Sequence, residues 1–352
     1  MIRITGKYDG GNPQNDSAIV QIDDSTFRIS PEIEDDNIGY KFRFDVKLEN
    51  HGATSEEVTI IVDWQDQIYS KYRDMIFVRE NQKEWDWIKA RINAGKSEFS
   101  ISAKKGNTTI ALTPGYNYSR YLEFIEQLSA SKCISTELVC NTYEGRKVYC
   151  LISKGCERNA KRILVTARTH PYETAGSYNV EGIVEGILRN PNSSILRKYD
   201  IYIIPMMCPD GVHNGLCRLN SVGSPDLSRE IDKHDSLSNS YIKLIDTIRP
   251  HLFLEFHNWM LRRHDGIFYL PWWPMMRVIT KLYGQINPKK RKRWIRGIDR
   301  IFFQRQSSGL KKYSRDKYNT RSFTIEYSWY GRNCEDMKEF GWKTLTSILH
   351  IV

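Results

Sequence analysis

The stretch "RILVTARTHPYETAG", residues 162–176, decides how this chain is to be read. An apolar run, Ile163-Leu164-Val165, ends in a polar turn where His170 and Glu173 stand three residues apart around Pro171. The next segment, "SYNVEGIVEGILRN", places Val180, Ile183, Val184, Ile187 and Leu188 at helical spacing. A strand, a loop bearing an imidazole and a carboxylate, and then a helix form one unit of an α/β domain.

The pattern repeats outward from there. "KVYCLISKG", "YDIYIIPMM", "HLFLEFHN", "DGIFYLPWW" and "RSFTIEYSW" are strand-like, which predicts a sheet covered by helices. In open α/β sheets the ligand crevice lies beyond the carboxyl ends of the strands, and His170, His257 and the residues after Met207 all fall there. The first third differs. "YKFRFDVKLEN" alternates Tyr40, Phe42, Phe44, Val46 and Leu48 with polar residues, "VTIIVDW" is a second strand, and "SEFSISAKKGNTTIALTP" predicts a hairpin turning at Lys105-Gly106-Asn107. Short strands with turn signals suggest a small antiparallel sandwich. Thr113-Pro114-Gly115 breaks the last of them, and Tyr121, Phe124, Ile125 and Leu128 then recur at helical spacing. The expected domains are therefore 1–115, a β-sandwich, and 116–352, an α/β domain.

Composition narrows the classes. The 352 residues are 40% apolar with 20 Tyr and 9 Trp, a globular balance. No apolar run has transmembrane length, and "MIRITGKYDGG" lacks the hydrophobic core of a secretory signal, so a cytoplasmic location without membrane attachment is expected. Seven cysteines, an odd number with no C-x-x-C pair, favour reduced thiols over a disulfide framework. The net charge of +10 suits an acidic partner, and "NPKKRKRWIRGIDR" (287–300) is the densest basic run. A solvated helix face or loop is the plainer account of that run.

Zinc in a hydrolase takes about three protein ligands and keeps a position open for water. His170 and Glu173 can supply two from one loop, because Pro171 keeps that loop out of helix. His257, at the end of "LFLEFHNW", can supply the third. Taken singly each is weak, since H-x-x-E arises often by chance and a strand histidine is commonly a core residue. The order is more telling. After His-x-x-Glu come Pro209-Asp210-Gly211, then Arg218 and Arg229, then His257, then Glu326 inside the apolar strand "SFTIEYSW". A glutamate in a strand core is costly unless it is paired or used.

This order resembles the zinc metallocarboxypeptidases of the carboxypeptidase A superfamily, most closely their cytosolic-carboxypeptidase branch. HPYE stands where that branch has HPGE, CPDG (with Cys208) where it has NPDG, "RLNSVGSPDLSR" where a segment ends in Asn-Arg, and FTIE where it has T-[LI]-E. The resemblance implies an N-terminal antiparallel β-sandwich followed by a mixed-sheet α/β metallocarboxypeptidase domain with helices on both faces. It implies one zinc per chain held by His170, Glu173 and His257. It further implies Glu326 as general base, Arg218 as the group that polarises the scissile carbonyl, and Arg229 as the grip on the substrate's terminal carboxylate. Ser228 replaces the branch's asparagine beside that arginine, Pro225 sits in a spacing one residue longer, and HNW replaces an HG pair. The family's mobile active-site tyrosine has no assigned counterpart here, with Tyr313 and Tyr318 as candidates.

The implied activity is hydrolysis of the C-terminal peptide or isopeptide bond of a peptide or protein. The superfamily builds the pocket for the leaving side chain partly from the segment before the catalytic glutamate's strand. Here "GLKKYSRDKYNTR" holds Lys311, Lys312, Arg315, Lys317 and Arg321 against one acid, Asp316. Lys311 and Arg315 are accordingly expected to bind substrate, with a preference for acidic C-terminal residues. Two other classes compete. An aspartoacylase-like zinc amide deacylase shares H-x-x-E…H, but neither the β-rich N-terminal domain nor the late position of FTIE suits it. A non-catalytic basic protein binding nucleic acid would leave Glu326 without a purpose.

Overall fold

The computed structural model describes residues 2–34, 43–64, 73–81, 83–232, 234–258, 263–268, 272–292 and 309–351. Tyr40, Phe42, the end of "DGIFYLPWW" other than its two tryptophans, and most of the basic run 287–300 lie outside these residues. Among the described residues ten strands come first: β1 (Ile2–Thr5), β2 (Ile19–Gln21), β3 (Thr26–Ile29), β4 (Asp45–Asn50), β5 (Glu56–Asp63), β6 (Met75–Glu80), β7 (Asp86–Lys89), β8 (Arg91–Asn93), β9 (Lys96–Ala103) and β10 (Gly106–Ala111). They form two five-stranded sheets, ordered β1-β4-β10-β6-β7 and β2-β3-β5-β9-β8. Alternation turns Val46, Leu48, Val58, Ile60, Val62 and Ile110 into the space between the sheets.

Two details depart from the sequence expectation. The first sheet is antiparallel throughout, but in the second β3 and β5 run parallel. The cause is β4, which lies between them in sequence and belongs to the other sheet, so the chain returns in its original direction. The predicted hairpin at 105–107 is likewise a crossing between sheets, since β9 pairs with β5 and β8 whereas β10 pairs with β4 and β6. Gly106, at φ +105°, makes the corner.

The remaining strands are β11 (Ser135–Asn141), β12 (Lys147–Ser153), β13 (Lys161–Ala167), β14 (Tyr199–Ile204), β15 (Leu252–Asn258), β16 (Gly266–Phe268) and β17 (Arg321–Tyr327). They make one mixed sheet, ordered β11-β12-β14-β13-β15-β17-β16, whose central strands β14, β13, β15 and β17 are parallel. The helices are α1 (Tyr118–Gln127), α2 (Thr174–Arg189), α3 (Pro209–His213), α4 (Ser236–Ile248), α5 (Trp272–Gln285), α6 (Leu310–Tyr318) and α7 (Cys334–Leu349). One sheet face, with Ile163, Val165, Leu252, Leu254 and Ile325, packs into a core with residues of α2, α5 and α7. The other, with Leu164, Ile204 and Phe253, packs with α4 and Leu310 of α6. Helices therefore cover both faces, as the resemblance implies. Among the described residues no helix is long and apolar enough to cross a membrane.

The first sheet of the sandwich turns its second face to this domain. Met75, Phe77, Trp85 and Ala111 share a core with Tyr116, Tyr178 and Trp329, and the Phe77 and Trp329 rings meet edge to face at 5.6 Å. Leu188, expected on the buried face of α2, is 37% exposed at its last turn.

Helices α2 and α7 cross closely because glycines line the contact. A Cβ at Gly182 would lie 1.9 Å from the Lys338 carbonyl oxygen, and one at Gly341 2.0 Å from that of Asn179. Both obstacles are backbone, which cannot rotate away. Gly182→Ala is expected to destabilise the protein by about 1–3 kcal/mol through overpacking, against a helix-propensity gain of about 1 kcal/mol. A denaturant melt showing the variant more stable than the parent would contradict this crossing.

Candidate metal centre and active site

β13 delivers the first loop of the site. Directly after it Arg168 adopts φ +59°, an unusual conformation for a side chain of this size. Its guanidinium, wholly buried, holds that turn by donating to the carbonyls of Tyr116 (2.8 Å) and Pro171 (2.9 Å) and to Ser177 Oγ (3.1 Å). Arg43 of the sandwich also donates to the Pro171 carbonyl, at 3.0 Å. The peptide between His170 and Glu173 is thus gripped by two cations. Glu173 precedes the first turn of α2 but does not cap it; Asn258 accepts from the Ala175 N–H instead. Its carboxylate is left to face the histidines.

The second loop needs no bending. β15 and β17 are parallel neighbours whose register sets His257 beside Glu326. Residues two apart on a strand share a face, so Glu255 and His257 point one way, as do Thr324 and Glu326.

Glu173 Oε1 lies 2.9 Å from His170 Nδ1, and Oε2 lies 2.7 Å from His257 Nδ1. All three side chains are buried and their ligand atoms lie within 4.8 Å of one another. Two imidazole nitrogens and one carboxylate are the donor set of a catalytic zinc site, so these residues fit the ion the resemblance implies. Behind them each imidazole meets a second carboxylate. His170 Nε2 is 3.2 Å from Asp226 Oδ1, and His257 Nε2 is 2.9 Å from Glu255 Oε2. Such carboxylates fix the ring orientation and raise ligand basicity.

Burial pushes the His257 pKa down, but Glu173 and Glu255 outweigh it and hold it well above the ordinary value. Burial would raise Glu173; the two imidazoles outweigh that and lower it. Glu326 is the opposite case. Burial, with the Glu173 charge adding to it, lifts its carboxyl to about 7 despite His257 and His170.

The arginines converge on Asp226. Arg218 Nη2 donates to its Oδ2 at 2.9 Å, Arg229 Nε lies 3.4 Å from the same oxygen, and the Ser228 N–H donates to Oδ1 at 3.0 Å. Arg218 is mostly buried whereas the Arg229 side chain is 52% exposed, at the mouth of the site. Ser228 Oγ reaches Glu255 Oε1 at 3.4 Å.

Of the basic segment, only Lys311 comes inside. It is buried, in ion-pair contact with Glu255 Oε2, and donates to Thr324 Oγ1 at 2.5 Å. With His257 Nε2 on its other side, Glu255 Oε2 joins the two in one charged cluster. Arg315 is exposed on α6 beside Asp316, 3.6 Å away, and is not brought to the site. Tyr313 and Tyr318 both donate to Asp246 of α4, at 2.8 and 2.7 Å, which removes them as active-site tyrosines. Tyr172, in the family's glycine position, lies parallel to the His170 ring at 6.3 Å.

Asp226, Glu255 and Tyr172 were not singled out from the sequence. The signal for Glu255 was present, since strand alternation puts it on the face of His257. Asp226 stands two residues before Ser228 in "SPDLSR", where an acid beside an arginine suggests nothing beyond a surface pair.

The donor set fits a catalytic zinc ion, and comparison with known proteins shows what the chain is similar to. The zinc carboxypeptidase family, Peptidase M14, matches residues 121–229. Cytosolic carboxypeptidases are among the proteins this chain is similar to. It is 36% identical over 127 residues to cytosolic carboxypeptidase 2 of Danio rerio, which covers 32% of this chain and 17% of that protein. The chain thus spans less than a fifth of that relative's length. Its fold is that of a metallo-carboxypeptidase from Burkholderia cenocepacia, with a TM-score of 0.81 at 17% identity over 99% of both chains. A metallo-carboxypeptidase from Pseudomonas aeruginosa, in complex with (2-guanidinoethylmercapto)succinic acid, gives 0.79 at 18% identity over 99% of this chain and 98% of that one.

If Asp226 orients His170 as this geometry requires, Asp226→Asn will weaken metal affinity by about 10–100-fold. Competition with a zinc chelator measures it, and unchanged affinity would show that the contact is incidental.

Proposed function

We propose that the protein is a zinc-dependent metallocarboxypeptidase that removes the C-terminal residue of a peptide or protein. The observation that carries this reading is the pairing of a His-Glu-His donor cluster with Glu326, in register beside His257, and with two guanidinium groups. Zinc held by His170, Glu173 and His257 supplies a water acidic enough to ionise near neutrality and a Lewis acid for the scissile carbonyl.

The chain's own residues do the rest. Arg229, at the mouth, fits the substrate's terminal carboxylate, for which a guanidinium fork is geometrically matched. The Ser228 hydroxyl is a shorter donor beside it than an asparagine would be. Arg218, deeper and held by Asp226, donates to the carbonyl oxygen as negative charge develops there. Glu326 accepts the proton of the attacking water and passes it to the leaving amine nitrogen, and burial, which raises its carboxyl above the ordinary range, favours that transfer. The reading includes a cytoplasmic location, which the seven cysteines, all free thiols, support.

The pocket reading is revised. An acidic preference drawn from the basic segment comes down to Lys311, and Glu255 already neutralises that cation. An acidic leaving residue must compete with Glu255 for it, so the preference for Glu or Asp is small. Glu255→Gln frees the ammonium and enlarges it. In a peptide panel differing only in the last residue, the variant should release Glu faster relative to Phe than the parent does; an unchanged ratio would remove Lys311 from specificity.

The chemistry is tested by two variants. His170→Ala should lose zinc and activity together, and retention of one zinc per chain at parental affinity would refute the ligand set. Glu326→Gln should keep zinc while turnover falls by about 10²–10⁴-fold. Peptides amidated at the C-terminus should be poor substrates of the parent enzyme. Equal cleavage of acid and amide forms would point to an endopeptidase or a deacylase.

A further inference from the structure

The loop that carries Arg218 is held from two sides, one of them outside its own domain. On one side, the Tyr172 N–H donates to the Cys217 carbonyl at 3.1 Å, and Asn220 exchanges hydrogen bonds with Asp210 at 3.1 and 3.2 Å. On the other side the partners all belong to the N-terminal sandwich. The Gly10 N–H donates to the His213 carbonyl (2.8 Å), and Asn12 Nδ2 to that of Gly215 (3.0 Å). Gly215, at φ +68°, approaches so closely that a Cβ would sit 1.9 Å from the Gly11 carbonyl oxygen.

The strongest of these contacts is a carboxylate. Glu34, 2% exposed, accepts from the N–H of Cys217 at 3.0 Å, of Leu219 at 3.1 Å, and of Arg218 between them. Three successive amides can converge on one anion only if the backbone curls around it, as in an anion-binding nest. Burial lifts the Glu34 carboxyl to about 7, and the three N–H donors oppose that rise because they bind its charged form more strongly. The curl fixes the direction in which the Arg218 side chain leaves the main chain. Its guanidinium then donates to Asp226 beside the His170 ring. Arg43 plays the matching part for the metal loop, joining the Pro171 carbonyl (3.0 Å) to that of Gly10 (2.6 Å).

We propose that Glu34 is a positioning residue of the active site, through which the N-terminal domain sets the placement of the Arg218 guanidinium. The geometry of the clamp stands on its own; the consequence for catalysis rests on the carboxypeptidase reading above. A donor to a developing oxyanion must be placed closely, and an error of about 1 Å can cost about a hundredfold in rate. Losing the clamp should therefore act on turnover more than on substrate affinity, and leave the metal in place.

The test uses the full chain loaded with zinc, and the variants Glu34→Ala and Glu34→Gln. Glutamine offers one acceptor oxygen where three N–H groups converge and turns its own N–H toward them. Hydrogen exchange of the amides of 217–219 is followed by mass spectrometry, together with zinc content, thermal melting, and kcat and KM on a free-acid peptide. Expected for Glu34→Ala are exchange at 217–219 accelerated at least tenfold and one zinc per chain. Its kcat should fall by about 10–100-fold with KM within about threefold of the parent. Glu34→Gln should fall between the two. Unchanged exchange overturns the clamp, and faster exchange with unchanged kcat overturns its role in positioning. Zinc, melting temperature and kcat lost together in both variants would make Glu34 a stability residue only. Should the parent cleave no free-acid peptide while exchange still responds to Glu34, the clamp is upheld and the carboxypeptidase reading fails.

Discussion

A carboxylate sealed from water has to be compensated where it stands, and that of Glu173 is compensated by two imidazoles or by an ion between them. Much of the local structure follows from this requirement. The carboxylate cannot cap its own helix, so Asn258 serves there. The imidazoles, turned inward by Nδ1, present Nε2 outward, and each of those nitrogens meets a buried acid. Those acids in turn need cations. Arg218 answers Asp226 and Lys311 answers Glu255. Charge alternates outward from the ligands, and each layer is balanced by the next.

This layering explains what the sequence revealed and what it withheld. His170, Glu173, His257 and Glu326 stand at strand ends or inside an apolar strand, where a polar residue needs a reason. The alternation of strands and helices from 147 onward is regular enough to locate the sheet and both covering layers. The balancing residues carry no such mark. Asp226 sits in a polar loop among arginines, and Glu34 lies more than 180 positions before the amides it holds. Long-range satisfaction of buried backbone groups leaves no periodicity to detect. The crossing between the sandwich sheets is hidden for a related reason, because "AKKGNTT" looks the same whether the chain turns back in one sheet or passes to another.

The basic composition needs a narrower account than the net charge invites. Lys312, Arg315 and Lys317 belong to the outer surface of α6, where they meet Asp316 and Asp246. Charges of this kind set long-range fields that salt screens, without lining a pocket. The cation that does enter, Lys311, is paired with Glu255 and so adds little net charge where it lies.

The shared core has a consequence for how such a protein can change over generations. Phe77 and Trp85 come from the sandwich, and Tyr178 and Trp329 from the α/β part, yet they bury one another. A break near residue 115, where the sequence composition changes, would expose aromatic surface on both fragments. It would also separate Gly215 from the Gly11 backbone it nearly touches. Recombination that swaps the two halves between distant relatives therefore meets a packing barrier rather than a hinge. A larger side chain placed on one face of that seam presses directly on the other.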